Sequence, residues 1–281
     1  HALALKQQSS AFPNADMRNF FILFTLTVSG VVGLPFLDFA EFPESLLNAN
    51  PVEASGGTCY QPNWHTCTAT YYAEMGINGP FASAQAFINA VTGVIRSQQQ
   101  NGLIRVCKAQ RYLLNCLGYA QYGLCTNTLH FLRQKASVTD AYTYSSFFSQ
   151  LHFVCGGGYM TLLYNLPCIG QAAFLQNKTL QGCAQQFNGT IIQHPSQACA
   201  LSQNFANCYQ TVYGRCNAAS GWTLCEQLRT GLANSFPQCT NMRCVVPQSS
   251  SDDKLMDQYV DKNTILSNMA KAAAEMDKKR A

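Results

Sequence analysis

Apolar residues recur at steps of three and four along most of residues 59–244, which is the spacing of an α-helix. One stripe covers residues 81–95 after the turn signal Gly79-Pro80, and a second covers residues 103–117. A third, at residues 147–154, ends at "CGGG", residues 155–158. Because the strict alternation of β-strands is rare, the pattern predicts an all-α fold.

Shorter helices are indicated in the second half of this segment. Apolar positions at residues 160–166 predict a helix that stops at Pro167, since proline lacks the backbone N–H that a helix interior needs. Residues 199–208 and 222–232 also show helical spacing.

A cysteine phrase occurs twice in the chain. "NCLGYAQYGLC" at residues 115–125 is echoed by "NCYQTVYGRC" at residues 207–216. These phrases belong to two runs of three cysteines whose spacings differ by one residue, Cys107-x8-Cys116-x8-Cys125 and Cys199-x8-Cys208-x7-Cys216. The echo predicts a disulfide-stapled helical bundle of two related cysteine-rich units, residues 59–170 and 171–246. A spacing of eight exceeds two helical turns, so each cysteine of a pair is expected to reach a different neighbouring helix.

The ends of the chain differ from its centre. Residues 17–33 have the layout of a secretory signal peptide, with a basic residue, an apolar stretch and small residues, so no membrane span is expected after cleavage. The alternative is that this segment is retained as a membrane anchor. Residues 1–16 are interpreted as an upstream leader that is not native, and residues 34–58 as a flexible acidic leader. Residues 247–281 are interpreted as a charged amphipathic tail.

The even number of cysteines agrees with secretion. Fourteen cysteines in a chain that enters the oxidising pathway predict up to seven disulfides, whose pairing the spacing does not determine. The predicted disulfide cysteines are Cys59, Cys67, Cys107, Cys116, Cys125, Cys155, Cys168, Cys183, Cys199, Cys208, Cys216, Cys225, Cys239 and Cys244.

Three positions are candidates for sugar attachment. Asn177 and Asn188 begin Asn-x-Thr sequons in a polar stretch that is interpreted as a surface loop. Ser55 precedes Gly56 two residues after an acid, which is a candidate site for a glycosaminoglycan chain.

Other classes of function are disfavoured. The region from residue 59 to 244 has ten Lys or Arg and three carboxylates, but no basic run, which argues against a nucleic-acid partner. No C-x-x-C pair or grouped histidines indicate a metal, and no motif indicates a cofactor or an enzyme. Acid–base chemistry would require Glu74 or Asp140 beside one of three histidines. These histidines are His65, His130 and His152.

Three cysteine-containing motifs of residues 59–244 are "CKAQRYLLNCLGYAQYGLC", "FFSQLHFVCGGGYMTLLYNLPC" and "NCYQTVYGRCNAASGWTLCEQL". On these motifs the chain resembles a family of secreted, cysteine-rich helical domains of nematodes, domain of unknown function 19, and is similar to the chondroitin proteoglycan core type. The resemblance implies an extracellular helical scaffold without catalytic residues, and the proteoglycan type implies attached sugar in a matrix or eggshell setting.

A second resemblance concerns the run from Cys67 through Cys107 and Cys116 to Cys125, which is similar to the last four cysteines of insect odorant-binding proteins. Their preceding Cys-x3-Cys is missing here.

Taken together, these features predict a secreted, non-enzymatic, N-glycosylated protein with a binding or structural role, whose partner is an extracellular protein or glycan. The alternative is an extracellular carrier of a small hydrophobic ligand in a helical cavity.

Overall fold

The computed structural model describes Phe36, Leu47 and residues 57–246, and every regular element in residues 57–246 is helical. The predicted signal peptide, Ser55 and the charged tail lie outside the described residues. The helices are α1 (Gln61–Met75), α2 (Ala84–Gln98), α3 (Gln100–Cys125), α4 (Thr128–Arg133), α5 (Val138–Val154), α6 (Tyr159–Leu175), α7 (Asn177–Gln193), a 3-10 turn (Pro195–Gln197), α8 (Ala198–Tyr213) and α9 (Ala218–Ser235). The predicted all-α, disulfide-stapled fold is confirmed.

Polar side chains at the helix starts explain several of these boundaries. Ser83, Asn127, Ser137 and Asn217 each accept a hydrogen bond from a backbone N–H in the first turn of the helix that follows. The glycine run also acts as predicted, since residues 155–158 form the turn between α5 and α6. Local sequence therefore sets where these helices begin and where α5 ends.

The predicted stop at Pro167 is wrong, because α6 continues through it to Leu175. A proline at this position leaves the carbonyl of Leu163 without its usual donor four residues later. The side chain of Gln100 supplies that donor, with Nε2 lying 2.9 Å from Leu163 O. A side chain from α3 thus compensates for the hydrogen bond that the proline removes.

Helix α3 carries the first cysteine phrase and bends within it. Gly118 has φ 73° and ψ 157°, values outside the helical region, so Cys116 and Cys125 lie on opposite sides of a kink. Both cysteines consequently reach the same neighbour, Cys67 within α1 and Cys59 just before it. The expectation that the two cysteines reach different helices is therefore wrong for this pair. It is confirmed for the second phrase, where Cys208 bonds to Cys183 of α7 and Cys216 to Cys168 of α6.

The helices enclose two apolar cores. The first core is built mainly from α1 to α6, around fully buried residues such as Phe87, Leu113 and Phe147. The second is built mainly from α7, α8 and α9, around Phe187, Phe205 and further apolar residues. The two cores meet where α5 packs against α9, and there Asn234 Nδ2 donates to Ser145 O at 3.1 Å.

All fourteen cysteines are described, and they form seven disulfides with none left free. The pairs are Cys59–Cys125, Cys67–Cys116, Cys107–Cys155, Cys168–Cys216, Cys183–Cys208, Cys199–Cys239 and Cys225–Cys244.

The pairing pattern is the same in both halves. The six cysteines from Cys59 to Cys155 pair first with fifth, second with fourth and third with sixth. The six from Cys168 to Cys239 pair in that same order once Cys225, which bonds to Cys244, is set aside. The echo in the sequence thus reflects a repeated cross-linking topology.

Helix α6 belongs to both halves. The sequence-based boundary at residue 170 places Cys168 in the first unit, but Cys168 bonds to Cys216 in the second group. The buried face of α6, including Leu162 and Ile169, packs into the first core. No disulfide joins the two groups of cysteines, so α6 connects them by packing on one side and by its disulfide on the other.

We expect Gly221→Ala to lower the free energy of unfolding by about 1 to 3 kcal/mol, because a new methyl group would force apart two tightly packed helices. A Cβ at Gly221 of α9 would lie 2.6 Å from Gln210 O and 2.9 Å from Gly214 Cα. Urea unfolding with the disulfides intact measures the change.

The matched control is Gly182→Ala on α7, where a Cβ meets no heavy atom within 4 Å. That substitution should raise stability by about 0.5 to 1 kcal/mol through helix propensity alone. Equal effects of the two substitutions would contradict the close approach of α9 to α8.

Candidate interaction surface and modification sites

One face of α6 is apolar and exposed to solvent. Met160, Tyr164, Phe174 and Leu175 have exposed fractions of 52%, 69%, 59% and 64%. They recur at the spacing of a single helical face, on which Pro167 is also exposed. Met160 and Tyr164 form one exposed apolar group and Phe174 and Leu175 another, with the exposed polar residue Gln171 between them. Exposed apolar residues scattered singly are ordinary, whereas groups on one face are typical of a contact surface.

Core packing, a disulfide and a hydrogen bond fix the position of this face of α6. Leu166 and Ile169 on the opposite side of α6 are buried in the first core. The disulfide Cys168–Cys216 and a 2.8 Å hydrogen bond from Asn217 Nδ2 to Asn165 Oδ1 tie the helix to the segment between α8 and α9. The face is therefore part of a cross-linked framework.

This part of the chain carries almost no charge. Within residues 159–213, which span α6, α7 and α8, Lys178 is the single Lys, Arg, Asp or Glu. Charged side chains ordinarily make up about a quarter of a soluble domain. The exposed face of α6 thus lies in a region where few ionic groups favour contact with water.

Both sequons of the chain lie in this same region, and both lie on helix α7. Asn177 is the first residue of α7 and Asn188 follows eleven residues later, about three turns along. Each side chain is partly exposed. The expected surface loop is wrong, because buried residues at helical spacing, among them Leu180, Phe187 and Ile191, make this polar stretch an amphipathic helix.

The two carboxylates that acid–base chemistry would require, Glu74 and Asp140, have structural partners. Asp140 Oδ1 accepts a hydrogen bond from Ala84 N at 2.8 Å, and Oδ2 accepts one from Ser137 Oγ at 3.1 Å. Glu74 forms a 2.9 Å ion pair with Lys108. Asp140 therefore stabilises the starts of α2 and α5, and Glu74 links α1 to α3.

His130 is buried beside aromatic rings. It is 2% exposed, its ring centroid lies 5.1 Å from that of Trp64, and its Nε2 has no hydrogen-bond partner. Burial, together with electrostatic repulsion from His65 and Arg133, lowers the pKa of His130 to about 4. The imidazole is therefore neutral in the folded protein near neutral pH.

The described residues contain no group of three or more His, Cys, Asp or Glu placed to hold a metal ion. A cavity of about 60 Å³ lies between α7 and α8, beside Phe187, Leu201 and Phe205. Ligand-binding pockets for small molecules have volumes of about 300 to 1,000 Å³. This cavity is too small to serve as the internal site of a hydrophobic-ligand carrier.

We expect the free energy of unfolding to fall by about 3 kcal/mol between pH 6.5 and pH 4, because the unfolded chain binds a proton at His130 more tightly than the folded protein does. The full contribution is present above the unfolded pKa and is lost as the pH falls toward the folded pKa of about 4. Chemical unfolding at a series of pH values measures it.

His130→Phe is the control, since it keeps an aromatic ring beside Trp64 and removes the titrating group. Most of the decrease in that pH window should disappear in this variant. A decrease of the same size in both proteins would show that other groups cause it.

No protein-family model matches the chain, and neither a curated protein nor a solved structure matches it. The resemblance to the nematode cysteine-rich domains accordingly stays a prediction. Among the described residues, no helix combines the length and the apolar character that crossing a bilayer requires.

Proposed function

We propose that this is a secreted, N-glycosylated, non-enzymatic protein that acts outside cells in a binding or structural role. The observation that carries the proposal is the disulfide framework, in which seven bonds use every cysteine and cross-link both halves. Disulfides persist in oxidising compartments and are rare in the cytosol.

The placement of the polar groups supports a non-enzymatic role. Glu74 and Asp140 are engaged in an ion pair and in helix capping, and His130 is buried against Trp64. General acid–base catalysis needs titratable groups within hydrogen-bond reach of a substrate. These residues instead hold helices in place.

The exposed face of α6 supports a binding role and indicates the chemistry of the partner. Its large residues are apolar or aromatic, and α6 contains no charged residue. Aromatic residues and methionine are enriched in protein interfaces. We therefore propose an extracellular protein, rather than an anionic glycan, as the partner of this face.

Expression of the full chain in a eukaryotic secretory host tests the proposal. We expect the protein in the medium, with close to zero free thiols after unfolding without reductant, and with a mass that falls after enzymatic removal of N-glycans. The reason is that oxidation and glycosylation both take place in the secretory pathway.

The control is the same chain without residues 17–33. It should stay inside the cell with reduced thiols and without glycans. Retention of the full chain inside the cell, or several free thiols in the secreted protein, would contradict the proposal. A further loss of mass after chondroitinase treatment would support sugar attachment at Ser55.

A further inference from the structure

The C-terminal end of the α6 face lies beside the first sequon. Phe174 and Leu175, which are 59% and 64% exposed, precede Asn177 by three and two residues. Gln176 ends α6 and also precedes α7, with φ −106° and ψ 19°. The chain between the two helices is thus a single residue long.

The backbone brings Phe174 and Asn177 close together. Leu175 is helical, and the dihedral angles of Gln176 are close to those of the third residue of a type I turn. Phe174 and Asn177 are consequently the first and fourth residues of such a turn, with Cα atoms less than about 7 Å apart. A sugar on Asn177 therefore starts close to the backbone of Phe174, whose side chain is exposed.

We propose that the N-linked glycan of Asn177 packs on Phe174 and Leu175 and covers this end of the α6 face. This inference rests on the N-glycosylation that is part of the proposed function. It assigns the two sequons different roles, since Asn188 lies about three helical turns from Asn177 along α7.

The attachment step needs only the ordinary donor of the secretory pathway, a polyprenyl-diphosphate-linked oligosaccharide. Asn177 Nδ2 loses a proton and forms a bond to C1 of the first N-acetylglucosamine. The bond between C1 and the diphosphate oxygen breaks, and the lipid diphosphate leaves with that electron pair. Thr179 supplies the sequon hydroxyl, and its Oγ1 lies 3.3 Å from Gln176 Oε1.

The first sugar of the glycan has an apolar face that can contact this surface and a polar side that can face water. One face of N-acetylglucosamine presents C–H groups, which pack favourably on the electron-rich face of an aromatic ring. Its hydroxyl and acetamide groups remain in water on the other side. The glycan therefore covers the apolar side chains and presents polar groups to water. It does so within residues 159–213, where Lys178 is the single charged residue.

The glycan leaves the other end of the face open. Tyr164 lies ten residues before Phe174, which is about 15 Å along the helix axis. Met160 lies one further turn away from the sequon. The proposal thus limits the open contact surface of α6 to its N-terminal end.

A double-mutant comparison on the full, secreted chain tests the packing. The protein is made in cells that attach high-mannose glycans, and each glycan is trimmed to its first N-acetylglucosamine. Thr179→Ala and, separately, Asn177→Gln remove the first sequon, while Phe174→Ser removes the ring. We expect loss of the Asn177 sugar to lower Tm by about 2 to 4 °C when Phe174 is present. In the Phe174→Ser background the same loss should change Tm by less than about 1 °C.

Thr190→Ala is the matched control, because it removes the sequon of Asn188 and leaves Asn177 modified. Its effect on Tm should be the same with Phe174 and with Ser at that position.

Equal decreases in Tm on loss of the Asn177 sequon, with Phe174 and with Ser at position 174, would overturn the proposal. So would mass spectrometry that finds Asn177 unmodified in secreted, fully disulfide-bonded protein, and that outcome leaves secretion itself intact. Failure of the chain to be secreted at all would overturn both proposals.

Discussion

Cross-linking by disulfides is the constraint on which this structure depends. In each half, one bond closes a long loop of chain and a second closes a shorter loop inside it. A third leads from the same run of cysteines to a cysteine that follows a later helix, Cys155 after α5 and Cys239 after α9. Such closure stabilises a fold mainly by restricting the unfolded chain. Helices that are held in this way need fewer ion pairs, which agrees with a charged fraction of only 11%.

The same constraint explains how α6 can be anchored on one side and exposed on the other. Packing into the first core and the bond from Cys168 to Cys216 fix the helix, although Tyr164 and Phe174 contribute little burial. A charge-poor exposed face carries a risk of aggregation unless something covers it. In our proposals, a partner protein covers one end of the face and a glycan covers the other.

The sequence predicted the helical class and several boundaries because helical spacing and capping residues act locally. It failed where a distant residue compensates for a local rule, as Gln100 does for Pro167, or where one glycine changes direction, as Gly118 does. Disulfide pairing could not be deduced, since many pairings fit one spacing. The exposed face of α6 could not be predicted either. Apolar residues lie on both sides of α6, so the pattern does not show which side is buried.

The most direct test of the repeated cross-linking is a disulfide map of the oxidised protein, obtained by proteolysis without reduction and mass spectrometry of the linked peptides. The structure predicts Cys59–Cys125, Cys67–Cys116 and Cys107–Cys155 in the first half, and Cys168–Cys216, Cys183–Cys208 and Cys199–Cys239 in the second. A disulfide between these two groups, or a different order of pairing in either of them, would contradict it.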